Sequence, residues 1–414
     1  GEERVNGTMT TRLDEGERTT RINIAGDITP LLISEFRPFF GDDIQLSSQV
    51  RQPAEGGLVL DDLSLNSAAL QVEGALRLDA ANLPEHVDIT ATILPPNNAA
   101  RVRLPTGGVN ADVASAALAV TYDRAEGDSY GLTADLTELT VDALRVPEAE
   151  LTLAGVIAID GTVVDATTGD FDLAVRGLAH SDPAMAQAIS PNLDASAMLS
   201  WVNGAPVILS DLELTAGDVT ATGGASAQSG DGTLDVILSL AAEVGALDRF
   251  AALAGQPLSG SADLNITGAV EVLSSAFDLA INGTGTDLIL AEAVPAEVFA
   301  GTTSLSLEAR RNVDGTFIEG LSISAAELSL DGDISLSSGD TALNAAFQLA
   351  EVGRFTELLN GPISATADIA RTGTAPFDIN LGLTGPNDIT ADGIGTFDAV
   401  TGELDVALEA GVRD

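Results

Sequence analysis

Apolar and polar residues alternate along most of this chain, as in Leu76-Arg77-Leu78, Phe347-Gln348-Leu349 and Leu404-Asp405-Val406-Ala407-Leu408. A period of two is the signature of strands with one buried and one solvated face. Clusters of turn formers interrupt it, among them Glu55-Gly56-Gly57, Asp314-Gly315, Ser338-Gly339-Asp340 and Gly385-Pro386-Asn387-Asp388. Turn signals about every 10 to 12 residues predict an all-β meander of roughly 30 to 35 strands.

Five positions recur four times at one fixed spacing. The frames are Leu63, Leu65, Leu70, Val72, Gly74; Leu144, Val146, Leu151, Leu153, Gly155; Leu212, Leu214, Val219, Ala221, Gly223; and Leu321, Ile323, Leu328, Leu330, Gly332. Each reads as two short apolar runs around a turn or bend, closed by a glycine. Such self-similarity predicts a repeat array, in which stacked units bury a face that no single unit could bury alone. The leucine, isoleucine and valine positions of the frames are the candidates to line an apolar groove on that face.

Four segments break the alternation and read as helical turns: about 30–40, 183–190, 247–254 and 352–360. The last two belong to a gapless internal repeat with nine identities in twenty positions, from Arg249-Phe250 and Leu253 through Thr267-Gly268, matching Arg354-Phe355 and Leu358 through Thr372-Gly373. A second gapless match joins Gly57–Leu78 to Gly315–Leu336. The expected organisation is one continuous array. It comprises a first β block over 1–94, an irregular junction rich in Pro and Asn over 95–130, further blocks over 131–232 and 233–341, and a partial block over 342–414.

Composition narrows the partners. Hydrophobic residues make up 45% of the 414, aromatics only 4%, which suits a long thin apolar interior better than one thick core. With 62 acidic residues, 18 basic ones and no lysine, the formal charge is −44. Nucleic acid is excluded as a partner, because backbone binding requires clustered cations to displace counterions. Docking onto an anionic membrane surface is disfavoured for the same reason. No apolar run is long enough to cross a membrane as a helix, and no signal peptide opens the chain. Starting at Gly1 without an initiator Met, the chain reads as an internal stretch of a longer protein, with any anchor outside it.

Candidate chemistry is sparse. There is no cysteine, and His86 and His180 lack metal-ligand spacing, so both read as surface-loop histidines. No Gly-x-Ser-x-Gly elbow occurs, and a phosphate-binding loop lacks its lysine. Asp42-Asp43 and Asp61-Asp62 read as solvated turns. Gly230-Asp231-Gly232 and Asp331-Gly332-Asp333 lack the framing of known calcium loops. Trp201 reads as a packing residue on a strand. No enzymatic activity, metal or cofactor is expected.

The segments Asp248–Gly268, Phe277–Leu288, Leu321–Gly332 and Phe347–Gly373, in this order, resemble the TamB/AsmA-like family of bacterial envelope proteins. The resemblance implies a β-taco, an elongated half-pipe of curved antiparallel strands with an apolar concave face. It also implies a periplasmic location in an inner-membrane-anchored protein, and phospholipid acyl chains as ligands moved between the inner and outer membranes in outer-membrane biogenesis. A TamA-like outer-membrane barrel is implied as a partner through regions outside this chain. On that expectation the groove is lined by Leu63, Leu65, Leu70, Val72, Leu144, Val146, Leu151, Leu153, Leu212, Leu214, Val219, Leu321, Ile323, Leu328 and Leu330.

A second reading stays open: an extracellular acidic β-repeat adhesin or scaffold whose apolar face packs into a closed core. A carbohydrate-active β-helix would need a ladder of aromatics that this composition does not supply.

Overall fold

The computed structural model describes residues 5–412 apart from 107–109, 162, 231, 291–293 and 357, so the Gly230-Asp231-Gly232 turn lies partly outside the described residues. The chain divides into two compact units, Gly1–Gly217 and Asp218–Asp414.

In the first unit twelve strands form an antiparallel meander. They are Val5–Asp14, Glu17–Gly26, Ile44–Gln52, Leu58–Asn66, Leu70–Leu78, Pro84–Ile93, Ser115–Asp123, Ser129–Val141, Leu144–Asp160, Val163–Arg176, Asn192–Val202 and Val207–Ala216. Short strands Val102–Arg103, Ala111–Val113 and Ala179–His180 are appended to it. The second unit is another twelve-strand meander. It runs through Val219–Gly230, Thr233–Val244, Ser259–Glu271, Ala276–Ile289, Thr302–Arg311, Gly315–Ser324, Leu328–Ser337, Asp340–Leu349, Ile363–Thr372, Phe377–Thr384, Ile389–Asp398 and Glu403–Val412. Among the described residues the first and last strands of each unit do not pair with each other. Neither meander closes into a barrel.

The described residues form 27 strands, fewer than the spacing of turn signals predicts. Some apparent turns lie inside strands. Asp61-Asp62 is not a solvated turn but a bulge in Leu58–Asn66, where two residues oppose one and Asp62 takes a left-handed φ of 52°. Asp211, Asp287 and Gly320 occupy equivalent bulges. The second frame holds no turn at all, because Leu144 to Gly155 lie in the single 17-residue strand Leu144–Asp160.

The first and fourth frames are the same hairpin in the same register. Leu63 pairs with Gly74 and Leu65 with Val72; Leu321 pairs with Gly332 and Ile323 with Leu330. The closing glycine has a steric reason common to all four frames. A Cβ on Gly74, Gly155, Gly223 or Gly332 would stand 2.3, 1.9, 2.0 or 2.6 Å from a carbonyl oxygen of the following strand. The Cβ would point to the apolar side, so the neighbouring backbone stands on that side and the sheet folds toward its apolar face there.

Burial follows the same division. Strands such as Thr233–Val244 and Ile363–Thr372 alternate half-buried, mostly apolar residues with exposed, mostly polar ones. Among the described residues of each unit, no strand lies outside its own sheet to form a second layer over the half-buried side. Among the described residues only fifteen hydrophobic side chains are buried, and of these only Val113 and Val298 completely, in a chain that is 45% hydrophobic. The accessible surface is 23,520 Å², whereas two separate compact bodies of half the mass would expose about 18,000 Å².

Helical turns occur where expected at Thr29–Leu31, Ser34–Phe36, Arg37–Phe40, Pro183–Ala188, Leu247–Phe250 and Ala251–Ala254. The last expected segment is shorter, a single 3₁₀ turn over Val352–Arg354, with residue 357 outside the described residues. A further turn, Ala296–Phe299, has no sequence counterpart because four residues after Pro295 are too few to show a helical period. These inserts make the real cores. Phe39 packs with Ala69, Val102 and Val113 in the first unit, and Val298 and Phe299 pack with Leu349 and Val352 in the second. The arginines of the internal repeat tie the inserts down in equivalent ways. Arg249 reaches Asp218 at 2.5 Å, and Arg354 reaches Glu327 at 2.7 Å, each carboxylate preceding the second run of a frame.

Candidate functional site: the apolar face

The cross-strand register places the frame residues in transverse rows. In the first unit one row runs Ile24, Leu46, Leu65, Val72, Ala91, Leu118, Ala134, Leu151, Leu173, Ala195, Leu214 across eleven strands. Leu63 and Leu153 belong to the next row, with Ile89, Val120, Leu132 and Phe171, and Leu212 bulges beside Ala197 at its far end. Leu70 stands opposite Ile93 near the insert. Leu144 and Val146 pair with Val141 and Leu139. Leu139 packs on the same cluster as Leu136, which keeps this pair on the apolar side despite the left-handed Glu138 between them.

In the second unit Ala221, Ala242, Leu264, Gly283, Leu305, Ile323, Leu330, Phe347, Ala365, Leu383, Ala391 and Ala410 form one uninterrupted row across all twelve strands. Leu321 lies in the adjacent row, Val219 pairs with Val244, and Leu328 pairs with Leu349 at the insert. Every one of these candidates is half-buried except Val146, which is buried. The structure thus brings the frame residues of each unit onto one face of its sheet.

No protein-family model and no curated protein matches this chain.

Charge is segregated by face. At the regularly paired positions of the apolar face in the second unit there is no carboxylate, and the only charged residues are Arg311 and Arg371. The opposite face carries Asp263, Asp331, Asp333, Asp368 and Asp392. In the first unit a depression of 410 Å³ is flanked by Glu150, Asp172, Asp194 and Glu213, and such an acidic lining offers no seat for an acyl chain. Sequence reasoning missed the two arginines. Their signal was the replacement of an apolar residue at an in-facing position, legible only once the register is known.

The remaining polar networks stabilise strand ends. His86 lies in a strand rather than a loop, its Nδ1 3.2 Å from Asp123, whose carboxyl is held low chiefly by the Ala125 N–H and then by His86. Arg124 reaches Asp79 at 2.9 Å, while the Tyr122 hydroxyl donates to Asp128 at 2.6 Å and burial pushes its pKa up. His180 accepts from the Asp182 N–H, and Trp201 is half-buried on its strand, as expected of a packing residue. Among the described residues no cluster of His, Asp or Glu is arranged to hold a metal, and no helix is long and apolar enough to cross a membrane.

Proposed function

We propose that this chain is a segment of a TamB-like member of the AsmA-like family, and that its apolar face carries phospholipid acyl chains across the periplasm, by binding and not by catalysis. The observation that carries this reading is an apolar row continued strand after strand, with no second layer over it among the described residues of its unit. Burial of each methylene is worth about 0.8 kcal/mol, so a two-chain lipid would be held firmly. Successive strands offer nearly equivalent apolar positions, so displacement from one to the next would cost little. A closed-core adhesin is disfavoured by the scarcity of buried side chains. No residue here is assigned to a barrel partner.

The test is lipid capture in the native cell. A photoreactive residue at Leu65 or Leu330 should crosslink to phospholipid during growth. Capture of protein alone, or of nothing, would refute the reading.

A further inference from the structure

The apolar face of the second unit has two unlike margins. At one, the inserts fold over the strand ends and bury Val298, Phe299, Leu349 and Val352. At the other, among the described residues, strands end in short turns that bury no apolar cluster, and part of the last apolar row stands in solvent: Leu336 is 50% exposed, Phe397 36% and Leu404 62%. Arg311 and Arg371 lie in this same row. Arg311 is directly opposite Phe277 and Thr316, and Thr316, Leu336 and Thr341 lead strand by strand to Arg371.

Their position runs against the composition. Acids outnumber bases 62 to 18, yet this face carries two arginines and no regularly paired carboxylate. Most other arginines are engaged by acids, as Arg51 is by Asp61, Arg145 by Glu138 and Arg354 by Glu327. Among the described residues neither Arg311 nor Arg371 makes an ion pair. The Arg371 guanidinium lies 4.5 Å over the Phe377 ring, and its Nε is buried without a hydrogen-bond partner. A planar cation fixed on an aromatic ring, with donors unspent, suits a phosphate.

We infer that Arg311 and Arg371 are phosphate head-group sites at the open margin of the lipid-binding face, a deepening that rests on the acyl-chain reading above. The two sites are four strands apart, about 19 Å, so each serves a separate lipid. From Arg371 the in-facing residues Ile369, Ala367 and Ala365 lead inward, and six residues of strand span about 20 Å. That run accommodates an extended tail with its head at the arginine. Head groups then lie along the turn side and tails point toward the inserts.

The experiment compares phosphatidic acid with diacylglycerol of identical acyl chains, both presented to the purified chain in the same nonionic micelles. One charge-assisted contact should make phosphatidic acid bind about tenfold tighter or more. The double variant Arg311→Gln/Arg371→Gln should lose that preference and keep its affinity for diacylglycerol. Arg310→Gln, on the opposite face over Phe317, should keep both. If the double variant melts early, the pair Arg311→Lys/Arg371→Lys replaces it and should retain a preference for phosphatidic acid. The inference is overturned by an unchanged preference in the glutamine pair, by no preference in the lysine pair, by equal loss of both lipids, or by inorganic phosphate displacing phosphatidic acid. Equal binding of both lipids by the unmodified chain overturns the arginine sites and leaves the acyl-chain reading standing. Binding of neither refutes that reading itself.

Discussion

The two margins of the second unit's sheet are built from the same strands and behave oppositely. At the insert margin the chain leaves the meander and returns over its own apolar ends, and the four buried residues of this unit's cluster all sit there. At the turn margin the described loops are too short to return, and Leu336 and Leu404 stay largely in water. Stability is therefore concentrated at one margin, and apolar surface is available at the other. An open sheet can be stable because it need not be covered everywhere.

The largest effect should separate the margins outright. Phe299→Ala, at a site 7% exposed, should cost the second unit about 3 kcal/mol, whereas Phe397→Ala, at 36%, should cost under about 1 kcal/mol. Denaturant unfolding of both variants reads the difference, and equal losses would abolish the distinction. A smaller contrast is steric. Gly332→Ala meets the Asn344 carbonyl at 2.6 Å and should cost about 2 kcal/mol, while Gly339→Ala, in a turn with nothing within 4 Å, should be neutral to within about 0.5 kcal/mol.

The smallest effect is acid sensitivity at the turn margin. Glu271 accepts from the backbone N–H groups of Leu234, Leu273 and Ser274, and its pKa falls from 4.5 to about 2, with the Ser274 side chain the largest cause and the Leu234 N–H next. A depressed folded-state pKa contributes stability that is present above pH 4.5 and lost as pH falls toward 2. Glu271→Gln should flatten that part of the acid-unfolding curve. At the insert margin Glu351 is held low by the Gly361 and Gly353 N–H groups, so Glu351→Gln should flatten it likewise, and a variant curve parallel to the parent's would sever this link.

The strands and the hairpin shared by Gly57–Leu78 and Gly315–Leu336 were legible in the sequence, because alternation and turn chemistry are local signals. The bulges were not. Asp61-Asp62 has the composition of a turn, and only the pairing on either side, Leu60 with Leu76 and Leu63 with Gly74, shows that the strand continues through it. The turn or bend expected in the second frame is likewise absent, and Pro147 stands inside its continuous strand. In the fold it faces the left-handed Glu138, and pairing resumes on both sides at Glu148 with Thr137 and Val146 with Leu139. The candidate face was legible as a set of residues, but its charge asymmetry was not. Arg371 and Asp368 differ only in which side of the sheet they occupy, a matter of register that parity alone cannot carry across a bulge.

The central claim is that one face of a single-layer sheet is open to acyl chains and the other is not. Leu330 and Asp331 are consecutive residues on opposite faces of the strand Leu328–Ser337. Placing the same photoreactive side chain at each position in turn, with a radiolabelled diacyl phospholipid supplied to the purified chain, tests the claim within one residue's rise. The account predicts labelled protein from position 330 and none from position 331. Equal labelling from both, or labelling from 331 alone, would contradict it.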